Sequence, residues 1–180
     1  MKKCILLALF DINTQNKIRK ELYNKIIGRY TTLQQKHIKS LNFILPNNKI
    51  FLKVKAPNKY NNKISNMRYT IKYIHDNKKA ISSYEIGKNG AGFRFAYPII
   101  KGDKYLGILS ITFGAEAITA GIMKQYYVLS NFFINSKNFN PKTLIQKKHL
   151  FKKQLDNDKY IYDLLVLKEL KKVSRKDIKE

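Results

Sequence analysis

Two oppositely charged side chains, Glu85 and Arg94, stand on either side of the tight-turn signal Asn89-Gly90. Asn-Gly between alternating apolar residues favours a hairpin, because a type I′ turn needs positive φ at both central positions. A two-residue turn there places Glu85 directly opposite Arg94 on neighbouring strands. Such a pair on an apolar sheet face is either a buried structural ion pair or part of a binding site. The apolar neighbours predicted for this face are Ala96, Leu109 and Ile111.

Further cationic side chains could converge with this pair on one face of an antiparallel sheet that a helix covers. Arg68 lies in a predicted helix, and Lys53 and Lys55 lie in a predicted strand. Cationic groups beside an aromatic ring suit a small carboxylate or another anion. In the alternative interpretation, Arg94 and Glu85 neutralise each other and the lysines are solvated. The candidate ligand-binding residues are Phe51, Lys53, Arg68, Tyr73, Glu85 and Arg94.

The other residue types that commonly carry chemistry form no constellation. His37, His75 and His149 are scattered without the spacing of metal ligands. Cys4 is the only cysteine, which excludes an internal disulfide and a cysteine-based metal site. We therefore expect neither catalytic activity nor a bound metal or cofactor.

The charge of the chain is strongly positive, since 36 lysine and arginine residues stand against 12 acidic ones, a net charge of +24. A lysine-rich nucleic-acid-binding protein is therefore the alternative function. Only five of the basic residues are arginine, the bidentate reader of phosphate. Lysine, asparagine and isoleucine dominate along the whole chain, which indicates a compositional bias more than a basic face. We expect no specific nucleic-acid partner.

The opening residues, MKKCILLALF, combine two lysines with an apolar run of seven residues. That run is too short to span a bilayer, and it lacks a small-residue cleavage site. Two interpretations remain: the first turns of a helix, or the end of a membrane helix that belongs to a longer protein.

The spacing of apolar residues predicts the elements that position the charged pair. Residues 12–39 contain no proline and carry an apolar stripe at helical spacing. Strand-like runs on either side of Asn47-Asn48 predict a hairpin with one apolar face and one mixed, basic face. The helix stripe comprises Ile18, Leu22, Ile26, Tyr30 and Leu33. The apolar hairpin face comprises Leu41, Phe43, Leu45, Ile50, Leu52 and Val54, and the basic face comprises Asn42, Ile44, Phe51, Lys53 and Lys55.

A second helix is predicted over residues 64–77, with Ile64, Met67, Ile71 and Ile74 facing inward. Three β-rich runs follow between residues 80 and 113, and their second face is predicted to be core. That second face comprises Tyr84, Ile86, Phe93, Phe95 and Ile99. The later elements predicted are a helix over 115–123, a strand over 125–134, a helix from Pro141 to about residue 155, and a lysine-rich amphipathic tail.

We predict a single domain of the α+β class in three parts. Residues 1–40 form an N-terminal helix on the sheet, residues 41–135 the core, and residues 136–180 a helical extension. No internal repeat or low-complexity linker interrupts them.

This order of elements resembles the PAS-like extracytoplasmic sensor domains of the Cache superfamily, which occur in bacterial histidine kinases, diguanylate cyclases and chemoreceptors. The resemblance rests on three segments: FILPNNKIFLKVKAPNKY, ISNMRYTIKYIHDNKKAI and YEIGKNGAGFRFAYPIIKGDKYLGILSITF. It covers roughly residues 12–123. The most specific positions are Leu45-Pro46, Phe51-Leu52, Arg68, Glu85, Gly87, Gly92-Phe93-Arg94 and Tyr97-Pro98.

The resemblance implies a fold, a function and a setting. The implied fold is a PAS-like antiparallel sheet with the long N-terminal helix on one face and a ligand pocket on the other. The implied function is small-molecule sensing, without catalysis, in a transmembrane signal-transduction receptor of a two-component or chemotaxis system. The implied partners are a small anionic or zwitterionic ligand, such as a carboxylate or amino acid, flanking membrane helices, a cytoplasmic output domain and a second copy in a homodimer. The implied location is periplasmic, anchored to the inner membrane, with the chain an excised sensor module or a truncated reading frame.

The chain departs from the family pattern on one face. That pattern carries histidines where Asn42, Ile44 and Lys55 stand here, and arginine where Lys53 stands. All four positions fall on the basic hairpin face, which supports a functional face there with a ligand chemistry of its own.

Overall fold

The computed structural model describes residues 11–35, 38–64, 68–87, 90–139, 149–155 and 158–177. The chain divides into two compact units, the first formed by Met1–Glu85 and Phe93–Phe113 and the second by Ile86–Gly92 and Gly114–Glu180. The opening ten residues, Met67, and the turn residues Lys88 and Asn89 lie outside the described residues. The three-part organisation proposed from the sequence stays a prediction.

Helix α1, Ile12–Gln35, begins at a side-chain cap. Asp11 Oδ1 accepts hydrogen bonds from the backbone N–H groups of Asn13 and Thr14 at 2.8 and 3.1 Å. Asp11 Oδ2 accepts from the Thr14 hydroxyl at 2.6 Å. These bonds, the Thr14 hydroxyl first, lower the pKa of Asp11 because they favour its ionised form. The helix ends four residues earlier than expected, since strand β1 begins at Ile38.

Helix α1 packs its apolar stripe against one face of the sheet, as the sequence predicts. Leu22 and Tyr30 are buried in a core shared with Leu52 of the sheet and with Val54, and Ile18, Ile26 and Leu33 pack around them. Burial of this stripe removes apolar area from water, which is the main force that holds the helix on the sheet.

The first unit is built on a five-stranded sheet in the order β2-β1-β5-β4-β3. Strand β1 pairs antiparallel with β2 and with β5, and β5 pairs antiparallel with β4. The strands are β1 Ile38–Ile44, β2 Ile50–Lys53, β3 Ile81–Gly87, β4 Gly90–Lys101 and β5 Lys104–Phe113. The fold is thus the α+β, PAS-like arrangement with a long N-terminal helix that the sequence predicts.

The turn of the first hairpin is one residue longer than expected. Leu45 N donates to Lys49 O at 2.9 Å, and Asn48 N donates to Leu45 O at 3.0 Å. Asn48 adopts a left-handed conformation with φ 63. A type I turn followed by a left-handed residue is the usual three-residue hairpin loop. The loop therefore comprises Pro46, Asn47 and Asn48.

A bulge restores the register that the longer loop displaces. Ile44 lies opposite Ile50, but Phe43 lies opposite Leu52 and Asn42 opposite Lys53. Phe51 is the extra residue, so its side chain leaves the alternation that the sequence predicts. Leu52 and Lys53 keep their predicted faces.

Helix α2, Tyr69–Asn77, covers the other face of the sheet. Its residues Ile71 and Ile74 are buried in a second core with Ile44, Ala96 and Ile108. The helix is shorter than predicted because Arg68 has an extended backbone, with φ −78 and ψ 112.

The centre of the sheet contains a glycine that its geometry requires. Gly107 has φ 138, and a Cβ built there would lie 2.1 Å from the carbonyl oxygen of Ile44. An L-residue is strained by such a φ, and the strand next to it leaves no room for a side chain.

In its described residues, the second unit pairs two helices with a small sheet in the order β6-β8-β7. Helix α3 packs against helix α4, and Ile134, Phe151, Ile161 and Val166 are buried within this unit. Its elements are α3 Ala115–Tyr126, β6 Phe133–Asn135, a 3₁₀ turn Ser136–Asn138, β7 Phe151–Lys153, β8 Tyr160–Asp163 and α4 Leu164–Asp177.

The second unit departs from the predicted elements in two places. Helix α3 continues to Tyr126 and ends at Tyr127, whose φ of 57 makes a left-handed cap, so the predicted strand over 125–134 is wrong for most of its length. The β-propensity of the Tyr-Tyr-Val run outweighed the helix end in that prediction. The predicted helix from Pro141 lies largely outside the described residues, and Phe151–Lys153 form a strand instead. Among the described helices, none is both long and apolar enough to cross a membrane.

Candidate functional site

Strand register places a set of polar side chains on the face of the first sheet that α2 covers. Arg94 and Ser40 both lie opposite Thr112, and Asn42 lies opposite Ser110. Side chains two residues apart share a face, so these rows stand side by side. We call this set the polar face; its members are Ser40, Asn42, Lys53, Arg94, Ser110 and Thr112.

The predicted apolar neighbours of Arg94 are partly wrong. Ile111 pairs with Phe95 and Leu109 pairs with Tyr97, which places both on the opposite face. Ala96 does lie on the polar face, opposite Ser110. Arg94 therefore has the hydroxyl groups of Ser110 and Thr112 as well as Ala96 beside it, and not Leu109 or Ile111.

The ion pair predicted from the turn register is present. Arg94 Nε lies 2.7 Å from Glu85 Oε2 without hydrogen-bond alignment. Arg94 Nη1 donates to Ser110 Oγ at 3.3 Å. Arg94 is only 6% exposed, so its charge is held inside the sheet–helix layer rather than in water.

Glu85 joins this ion pair to the start of α2. Its Oε1 accepts hydrogen bonds from the Thr70 backbone N–H at 3.0 Å and from the Thr70 hydroxyl at 2.6 Å. Arg68, at the N-cap position, makes no capping bond with its own side chain. The carboxylate of Glu85, which lies in β3, thus caps the N-terminus of α2. The helix dipole also favours negative charge at this end of the helix.

The electrostatics of the polar face leave an excess of positive charge. Burial lowers the pKa of Arg94 most, the charge of Arg68 lowers it further, and Glu85 opposes both effects. The charge of Arg68 thus acts on Arg94, whose own partner Glu85 has both carboxylate oxygens already engaged. Such a face favours an additional anion.

Besides Arg94 Nε, which has only its ion pair, two polar atoms of this face are buried without a hydrogen-bond partner among the described residues. They are Asn42 Oδ1 and Thr112 Oγ1. Asn42 Nδ2 donates to Ser40 Oγ at 3.4 Å, so its amide is engaged on one side only. Buried polar groups of native proteins normally have partners, and a binding site is one explanation for such exceptions.

The other candidate residues lie in different elements and differ in their exposure. Lys53 is half-buried opposite Asn42, and Lys55 is exposed beyond the end of β2. Tyr73 packs against the second core, 6.2 Å from the ring of Tyr69. Arg68 is half-buried at the start of α2.

Phe51 does not belong to the polar face, so the prediction that placed it there is wrong. It is buried in the core between α1 and the sheet. Arg19 Nε donates to the Phe51 carbonyl at 2.6 Å, and the Arg19 guanidinium lies over the rings of Phe51 and Tyr60, at 5.1 and 3.5 Å. The bulge of β2 is the physical reason, because it turns Phe51 towards α1.

Sequence reasoning missed several residues of the polar face. Ser110 and Thr112 alternate with Leu109 and Ile111 in β5, a period-two signal that could have identified them. Thr70 had no such signal, because its bond to Glu85 depends on how α2 lies over the sheet.

A metal centre is not apparent in the part of the chain that the structure describes. No group of three or more His, Cys, Asp or Glu side chains there could hold a metal ion. The chemistry available at the polar face is binding through charge and hydrogen bonds.

Comparison with known proteins gives similarity of fold only. No family model and no curated protein matches the chain. Among solved structures, an extracellular ligand binding receptor from Desulfohalobium retbaense is similar over 66% of this chain, at 12% identity and a TM-score of 0.46. The chain spans 26% of that structure.

Two further structures show similarity at the same level. One is a domain of a sensory box/GGDEF family protein from Vibrio parahaemolyticus, with 15% identity, a TM-score of 0.42, and coverage of 75% of this chain and 57% of that one. The other is the extracellular domain of the histidine kinase vpHK1S-Z8, with 16% identity, a TM-score of 0.41, and coverage of 72% and 64%.

Proposed function

We propose that this chain is the extracytoplasmic ligand-sensing domain of a bacterial transmembrane receptor, and that its polar face binds a small anionic or zwitterionic molecule. The observation that carries the proposal is Arg94, a buried guanidinium held by Glu85 at 2.7 Å beside a second guanidinium, Arg68. A purely structural ion pair needs one cation for one carboxylate. The second cation supports a site for a further negative charge.

The groups around Arg94 indicate the chemistry of the ligand. Arg68 and Arg94 can donate to a carboxylate, which accepts charge-assisted hydrogen bonds from guanidinium groups. The buried Asn42 Oδ1 is an acceptor, and an ammonium group is a donor that suits it. A small carboxylate satisfies the first requirement, and an amino acid satisfies both. Lys53 and Tyr73 stand at the margins of this face and contribute charge and an aromatic surface.

Binding at this face has a direct route to the helices. Glu85 contacts both Arg94 and the first turn of α2, so a ligand that draws Arg94 away from Glu85 also alters the cap of that helix. Helix α1 packs on the opposite face of the same sheet. A shift of α1 against the sheet would then carry the signal to a membrane helix and an output domain.

Arg68→Ala is the variant that tests the site most cleanly, since Arg68 makes no capping bond and its loss spares the core. We expect this variant to lose at least about tenfold in ligand affinity, a difference of about 1.4 kcal/mol. Calorimetric or thermal-shift titration with small carboxylates and amino acids measures it. The matched control is Arg29→Ala, which removes an exposed arginine of α1.

Two results would contradict the proposal. In one, no small carboxylate or amino acid binds the parent protein. In the other, the Arg68 and Arg29 variants bind the ligand equally well, which would remove Arg68, the second cation on which the proposal depends, from the site.

A further inference from the structure

The small sheet of the second unit has one buried face and one exposed aromatic face. Ile134 and Ile161 pair with each other and are buried. On the opposite face Phe133 lies beside Tyr162, and Lys152 lies on the other side of Tyr162. Phe133 is 49% exposed, and its ring centroid lies 5.8 and 5.2 Å from those of Tyr160 and Tyr162. Three aromatic rings thus form a cluster that the described residues leave open to solvent.

The segment before this sheet is also apolar and exposed. Helix α3 ends at the left-handed residue Tyr127, and the next residues run without regular structure into β6. Tyr127 is 83% exposed, and Tyr126, Val128 and Leu129 are each more than half exposed. Four residues of chain span at most about 14 Å, so Leu129 lies within about 14 Å of Phe133.

Lysines flank both groups of apolar side chains. Four of them, Lys124, Lys137, Lys152 and Lys159, are exposed. Lys153 is exposed as well, and it pairs at 3.4 Å with Asp158, an exposed carboxylate among the described residues. The local charge is therefore positive around an exposed apolar centre.

We propose that this surface, formed by residues 126–129, Phe133, Tyr160, Tyr162 and the four exposed lysines, docks on an anionic phospholipid bilayer. Apolar side chains enter the interface between headgroups and acyl chains, while lysines remain in the headgroup region. Tyrosine suits that position because its ring is apolar and its hydroxyl is polar. Lysine acts as a point charge on an anionic lipid surface, where the bidentate geometry of arginine has no advantage.

Single-stranded nucleic acid is the competing partner, because aromatic rings and lysines also bind stacked bases and phosphates. The exposed aliphatic side chains of Val128 and Leu129 favour the bilayer over nucleic acid. Bases stack on aromatic rings, whereas aliphatic side chains gain most from leaving water for an apolar phase. The proposal is independent of the ligand site, since all its residues belong to the second unit.

Co-sedimentation of the full chain with lipid vesicles tests this inference. The vesicles contain phosphatidylcholine alone or phosphatidylcholine with phosphatidylglycerol. We expect binding only to the anionic vesicles, weakened by salt. Lys152→Glu should reduce it more than about fivefold, since one lysine near such a surface contributes about 1 kcal/mol. The combined substitution Tyr127→Ser, Val128→Ser and Leu129→Ser should reduce it at least tenfold.

The matched controls lie in the first unit. Tyr69→Ser removes another tyrosine that is more than half exposed, and Lys101→Glu reverses an exposed lysine; neither should change vesicle binding. Circular dichroism checks that each variant is folded. Equal binding by the surface variants and the controls would overturn the proposal. So would vesicle binding that is abolished by competing single-stranded oligothymidylate, since nucleic acid would then be the better partner for this surface.

Discussion

Arg94 forms an ion pair with Glu85 and donates a hydrogen bond to Ser110, while the charge of Arg68 repels it. Removing its side chain would leave the Glu85 carboxylate, only 14% exposed, without its ion-pair partner. At the scale of single residues, Arg94 thus contributes both to the stability of the fold and to the proposed binding site.

We expect Arg94→Ala to lower the free energy of unfolding by about 3–5 kcal/mol, the usual cost of breaking one partner from a buried pair. Denaturant unfolding measures this loss. The double variant Arg94→Met with Glu85→Gln should recover part of it, because no buried charge then remains unpaired. If Arg94→Ala unfolds at the same denaturant concentration as Arg29→Ala, the pair does not stabilise the fold.

His75 supports a second prediction at this scale. Its Nδ1 lies 3.0 Å from the Tyr105 hydroxyl and its Nε2 lies 2.5 Å from Asn48 Oδ1, an arrangement that suits the neutral ring. Burial lowers the pKa of His75 most, and the charge of Lys78 lowers it further, whereas Asp76 raises it.

Because the unfolded chain takes up this proton first, stability is complete above the ordinary histidine pKa of about 6.5. It should fall as the pH drops below that value through the lower pKa of the folded state. Unfolding measured across this range should show the decline in the parent protein and a flatter profile in His75→Gln. Identical profiles would show that His75 does not titrate with folding.

At the scale of elements, the first hairpin shows how far sequence reasoning reaches. Alternation placed Leu52 and Lys53 on their correct faces, and the stripe of α1 was identified correctly. Phe51 was misplaced because a longer loop and a bulge offset each other. The alternation of apolar residues indicates neither the longer loop nor the bulge, since the strand register beyond the bulge is the one that a two-residue turn would give.

The polar face was only partly foreseeable for a related reason. The Asn-Gly turn identified the Glu85–Arg94 pair from local sequence alone. Asn42 was predicted on the basic hairpin face, but its pairing with Ser110 is long-range, and Thr70 joins the site through tertiary packing. Such contacts depend on how elements meet, which local propensities do not encode.

Alanine substitutions at two glycines should have opposite effects on the stability of the protein. Gly107→Ala should destabilise the protein by about 1–3 kcal/mol or more, because a Cβ meets the Ile44 carbonyl and the backbone conformation is strained. Gly28→Ala should stabilise it by roughly 0.5–1 kcal/mol, since that helical position is open on all sides. Thermal denaturation compares the two. The account of the sheet centre fails if both variants melt alike.

At the scale of the whole molecule, the net charge of +24 affects which partners the protein binds. We expect non-specific binding to nucleic acid with a Kd of roughly 10⁻⁴–10⁻⁶ M at physiological salt, because lysine contacts with phosphates release counterions. Fluorescence anisotropy with unrelated oligonucleotides at several salt concentrations measures this. Tight, sequence-selective binding that persists in salt would favour the alternative function over the sensor.

The cap that Glu85 provides for α2 also bears on the order in which the chain folds. Helix α2 has nine residues, fewer than the roughly 12–15 that an isolated helix needs in water. Its cap comes from β3, which is synthesised after it. Helix α2 can therefore be capped only after β3 has been synthesised. Helix α1 and the first hairpin, in contrast, are neighbours in the chain and can pack together earlier. In pulse-labelled hydrogen exchange, amides of Leu22 and Leu52 should gain protection before those of Ile71 and Ile74, and the reverse order would mean that α2 forms without its borrowed cap.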